Sequence, residues 1–144
     1  MEAHILLADA AQRSPEGKIH ALGLGWSVTT TPLPPQAVVV FMKVPWDQAN
    51  EPHTAVLSLV DEDGHVVHPG GPESPPLVIS TQFETGRPPG VPKGMPLDMA
   101  LTFGITGGMP VPPGGYVWRL EIDGEGQDTW QAAFHARAGD PAEH

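Results

Sequence analysis

One stretch limits what this chain can become: Pro112-Pro113-Gly114-Gly115-Tyr116-Val117-Trp118-Arg119-Leu120-Glu121-Ile122-Asp123-Gly124. From Tyr116 onward the residues alternate. Tyr116, Trp118, Leu120 and Ile122 fall on one side, and Arg119, Glu121 and Asp123 on the other. A period of two residues is the signature of a strand with one dry face. Pro and Gly open it and Asp123-Gly124 closes it, both turn signals. The pattern then returns, with Trp130, Ala132, Phe134 and Ala136 against Gln131, His135 and Arg137. The two runs are expected to pair as an antiparallel hairpin, whose aromatic face needs a second apolar layer over it.

The rest of the chain fits such a partner layer. Short apolar runs are punctuated by Pro or Gly, and amphipathic helical spacing is nearly absent, which points to an all-β domain. Residues 4–12 form a first expected strand, and Lys18 to about Thr30 a second, with Leu22, Leu24, Trp26 and Val28 on one face and small residues on the other. Small residues in a strand suggest a bulge or a close neighbour. The run from Ala37 to Val44 is apolar on both faces, because Val39 and Phe41 oppose Val38, Val40, Met42 and Val44. Such a strand is either covered or part of a contact. Further strands are expected at 53–60, 65–68, 77–84 and 98–105. The sum is a two-sheet antiparallel immunoglobulin-like sandwich of about eight or nine strands over residues 1–138, with a flexible tail at 139–144. A closed barrel is the second choice.

Composition narrows the function. The chain has 144 residues and a formal charge of −10, which disfavours nucleic acid and anionic membrane, since both need a basic footprint. It has no cysteine, hence no disulfide framework and no thiolate chemistry. No apolar run reaches the roughly 20 residues of a membrane span, and Met1-Glu2-Ala3-His4 lacks the basic start of a signal peptide. A cytoplasmic protein is expected.

Four segments together resemble a known family. They are Asp9-Ala10-Ala11 with Gly17-Lys18-Ile19 and Gly23-Leu24-Gly25-Trp26; Val44-Pro45-Trp46-Asp47 with Ala49-Asn50; Phe83-Glu84 with Gly86-Arg87-Pro88-Pro89-Gly90; and the closing Pro-Pro-Gly run. The chain resembles small bacterial proteins grouped as a domain of unknown function. The resemblance implies a sandwich fold and brings no activity, cofactor or catalytic residue.

Candidate chemistry is sparse. No Gly-x-Ser-x-Gly elbow is present, the carboxylates cluster in turns, and no histidine pair has ligand spacing, so no enzyme and no cofactor are expected. A calcium-binding alternative rests on strand parity. If every strand through a short one at 65–68 reverses direction, the turns holding Asp61 and Asp63 and holding Asp123, Glu125 and Asp128 share one end, where their oxygens could surround a cation. The same parity puts Arg87 at that end and Trp46 at the other. Leaving out the short strand reverses this outcome.

Protein partners, or a second copy of the chain, remain as the expected ligand. Trp46 with Asp47 and Asn50 has the residue mix of an interface hot spot, and Arg87 beside Pro88 and Pro89 offers a rigid second contact. Alternatively, Trp46 folds back as a plug on the end of the sandwich. Val39 and Phe41, or an exposed edge strand, are further contact candidates.

Overall fold

The computed structural model of the chain describes residues 1–139. These residues form ten strands: β1 (Glu2–Ala8), β2 (Ala10–Arg13), β3 (Ile19–Leu22), β4 (Val28–Thr31), β5 (Gln36–Val44), β6 (His53–Asp61), β7 (Val78–Phe83), β8 (Leu97–Ile105), β9 (Gly114–Ile122) and β10 (Glu125–Ala138). Among the described residues the helical structure is a single 3-10 turn at Trp46–Gln48. No helix among the described residues is long and apolar enough to cross a membrane. Of the tail expected at 139–144, residues 140–144 lie outside the described residues.

The strands form three sheets, ordered β1-β5-β8, β4-β10-β9-β6-β7, and a β2–β3 ribbon. The all-β expectation holds, whereas eight or nine antiparallel strands in two sheets does not. β4 runs parallel to β10, with His135 opposite Val28. Two expected strands also break. The first divides at Asp9, and the second divides where Gly23 and Gly25 take φ of 64° and 92°, in the left-handed region that favours glycine. These bends let one continuous stretch serve three sheets. After Asp9 the chain crosses the outward side of the three-stranded sheet, and β2 packs against β5 and β8. That covers Val39, which is fully buried, and leaves Phe41 41% exposed.

The two larger sheets share one core. Ile5, Val38, Val40 and Phe103 from one side meet Leu57, Leu59, Trp118 and Phe134 from the other. The alternation read from Tyr116 is observed, since Tyr116, Trp118, Leu120 and Ile122 are all buried. Trp118 reaches across the layer, and its indole N–H donates to the Gln36 side-chain oxygen at 3.0 Å. A buried indole donor without a partner costs about 1–3 kcal/mol, so this bond fixes how the layers face each other.

The expected strand at 65–68 is not one. It contributes only an isolated bridge, Val60 to Val66. The chain from β6 to β7 is therefore one long loop with a single reversal, and the later turns fall at the opposite ends from those expected.

Candidate protein-binding surface

The reversed parity brings two separately predicted loops to the same end. Pro45 starts the 3-10 turn that holds Trp46, and Asn50, at φ 60°, ends the segment by donating its backbone N–H to the Thr85 carbonyl at 2.8 Å. This tie places Arg87 over the indole. The guanidinium carbon stands 4.5 Å from the Trp46 ring centroid. The same group donates to the Trp46 carbonyl from Nη2 at 2.6 Å and from Nε at 3.2 Å. A cation stacked on an indole contributes about 0.5–1 kcal/mol at an exposed site, and the two hydrogen bonds fix its position. Trp46, Asn50 and Arg87 are thus brought together, with Asp47 exposed beside them.

Trp46 is half-buried and packs against the core margin with one part of its ring. It also lines a groove of about 700 Å³ with Met1, Lys43, Asp47 and Met95. Met95 is 52% exposed. Trp, Met and Arg are the side chains enriched at protein interfaces. Phe41 and Val39 do not join this surface; they belong to the outward side of the three-stranded sheet.

Behind the platform sits a residue that sequence reasoning missed. His53 opens β6 and is 4% exposed. Its Nδ1 lies 2.7 Å from Asp123 Oδ2, and its Nε2 lies 2.8 Å from the Gln48 carbonyl. The ring lies against Phe83, with centroids 5.3 Å apart. Both nitrogens face acceptors, an arrangement that favours the doubly protonated ring. Burial pulls the His53 pKa down. The bonds to Asp123 and Gln48 and the charges of Asp123 and Glu51 outweigh that pull, so it stands above 6.5. Asp123 is held below its ordinary 3.8 by His53 and by the Thr54 amide, which donates to its other oxygen at 2.9 Å. His53 therefore ties the Trp46–Gln48 turn to the β9–β10 turn. A signal existed in the sequence: His53 has the parity of Ala55, Leu57 and Leu59, the buried side of β6.

The two acidic turns do not share one end, as the calcium arrangement expected. Asp61 lies opposite Tyr116, while Ala55 lies opposite Ile122, so the two acidic turns occupy opposite ends of the β6–β9 pair. At about 3.3 Å per residue they are roughly 20 Å apart, far beyond shared coordination. Asp61 Oδ1 accepts the amides of Asp63 at 2.9 Å and His65 at 3.0 Å, the arrangement of an ordinary Asx turn. Asp123 is committed to His53 and Thr54, and Glu125 and Asp128 lie exposed on β10. The physical cause is again the missing strand at 65–68.

The fold and this surface describe an all-β scaffold that holds a cation-stacked aromatic at one end. The chain belongs to a family of unknown function (DUF6941), whose model matches residues 3–134. No curated protein and no solved structure gave a significant match.

Proposed function

We propose that this protein acts by binding another protein, without catalysis and in the cytoplasm, and that the Trp46–Arg87 platform is its anchor. In this reading the sheets are an immunoglobulin-like frame presenting loops at one end, which is a fold-level analogy. The observation that carries the reading is the pre-ordered Trp46. Its ring is fixed by Arg87 on one side and borders an open groove containing Met1 and Met95 on another. An aromatic ordered before binding loses little conformational freedom on contact, the condition for a hot spot.

The non-enzymatic reading draws on His53. A histidine paired with an aspartate is the usual start of a catalytic relay, yet here the second nitrogen is bonded to the Gln48 carbonyl and the ring is enclosed. No nucleophile can take that position without opening the turn.

Affinity capture from an extract of the native host, using wild type and Trp46→Ala side by side, tests the proposal. A protein retained by wild type and lost with Trp46→Ala is expected. Identical sets of captured proteins would rule out Trp46 as the anchor.

A further inference from the structure

The end of the β6–β9 pair away from Trp46 carries a second groove, of about 700 Å³, a size that suits a ligand. One wall is the loop after β6, from Asp61 to Pro72, and the other is the chain entering β9, from Pro110 to Tyr116. The walls are joined twice. Gly70 N–H donates to the Pro110 carbonyl at 2.9 Å, and Gly115 N–H donates to Glu62 Oε1 at 2.8 Å. The groove is therefore shaped before anything enters it, which lowers the ordering cost of binding.

Three properties of the lining select the occupant. Most of the surface is apolar, from Val66, Val111 and the prolines at 72, 110, 112 and 113. The charge is of one sign: Asp61, Glu62 and Asp63 line the groove, no lysine or arginine does, and none of the three carboxylates is in a salt bridge among the described residues. Burial and then the charges of Asp61 and Glu62 hold the Tyr116 hydroxyl, also in the lining, above its ordinary 10.0. Finally, acceptors outnumber donors. The prolines have no amide proton, and the amides of Asp63, Gly70, Gly71 and Gly115 are spent within the walls. The second oxygens of Asp61 and Glu62 and both oxygens of Asp63 have no partner among the described residues. Such a lining favours an apolar stem that ends in a cationic donor. A second copy of a chain with formal charge −10 is a poor source of one.

We propose that this groove takes an arginine side chain from a partner polypeptide, with its methylenes along Val66 and Val111 and its guanidinium among Asp61, Glu62 and Asp63. Arginine suits the site better than lysine, because its five fixed donors reach several carboxylates and its head gives up water more readily. The site lies away from the Trp46 platform and does not depend on it.

Amide NMR of the whole chain, titrated at low salt with capped Ala-Arg-Ala, tests this. Saturable shifts are expected at Gly70, Gly71 and Gly115. Combining Glu62→Gln, which keeps the acceptor for Gly115, with Asp63→Asn should weaken binding about fivefold. Glu125→Gln with Asp128→Asn removes the same charge elsewhere and should leave binding unchanged. No saturable shift, or equal weakening by both double variants, would overturn the proposal. Should the Glu62 and Asp63 variant fail to fold, capped Ala-citrulline-Ala decides on wild type, since it keeps the shape without the charge. It should not bind, and binding as tight as arginine's would overturn the proposal. Methylguanidinium binding as tightly as the peptide would mark a small-cation site instead. Calcium chloride that shifts the same amides and displaces the peptide would mark a metal site. Either result would also overturn it.

Discussion

His53 and Asp123, from the start of β6 and the turn after β9, meet 2.7 Å apart, and through the Gln48 carbonyl His53 ties the Trp46 turn to this pair. The sign of the pH dependence follows. His53 titrates higher in the folded chain than its ordinary 6.5, so its contribution is complete below 6.5 and disappears as pH rises through the folded value. Asp123 titrates below its ordinary 3.8, so its share is complete above 3.8 and disappears as pH falls through the folded value. The pair stabilises most between those two limits. With half of Asp123 exposed, screening reduces the effect to about 1 kcal/mol. Urea melts from pH 6 to pH 9 should show wild type losing this margin over His53→Gln. Proton NMR should place the His53 midpoint above 6.5, and Asp123→Asn should lower it. A midpoint at or below 6.5 would contradict the imidazolium assignment.

Gln36 and Trp118 link the two layers through a bond buried at both ends. Gln36→Leu keeps the volume close and removes the acceptor, leaving the indole N–H unpaired. The expected loss is about 1–3 kcal/mol. Most of that loss should disappear when Trp118→Phe is combined with it, since the coupling then has no donor. A thermal melt of Gln36→Leu equal to wild type would show that the bond does not matter.

Gly107 and Gly104 form a matched contrast. A Cβ at Gly107 would stand 2.5 Å from Pro35 Cδ and 2.7 Å from Pro35 N, whereas one at Gly104 would meet nothing within 4 Å. Gly107→Ala should cost about 1–3 kcal/mol through overlap with a ring that cannot swing away. Gly104→Ala, on β8, should stay within about 0.5 kcal/mol of wild type. Equal denaturation midpoints for the two variants would contradict the close approach.

Long alternating runs made much of this fold legible. Tyr116 to Ile122, Trp130 to Ala136 and Ala37 to Val44 appear within strands with most of the expected faces buried. The misreadings share a cause. Val66 and Val67 between two histidines have strand composition, yet only one bridge forms there, because Leu77 closes against Val67 and Leu59 instead. Tertiary pairing overrode local propensity. That single element reversed the parity of all that followed, separating the acidic turns and uniting Trp46 with Arg87. Asp9 and Gly23 mark bends that redirect a strand into another sheet, and alternation is blind to such changes of sheet. The residues of the platform could be picked out by type; their contact could not, because it depends on the direction count.

As an anchor, Trp46 is presented at the surface and the core closes without it. The thermal melt of Trp46→Ala tests this most directly. A partly buried ring at the core margin should cost about 1–2 kcal/mol when removed, less than the 3–5 kcal/mol of a fully enclosed aromatic. The variant should therefore unfold in one cooperative transition, a few degrees below wild type. Loss of a cooperative transition would mean that Trp46 is the plug of this end, and the binding platform would be gone with it.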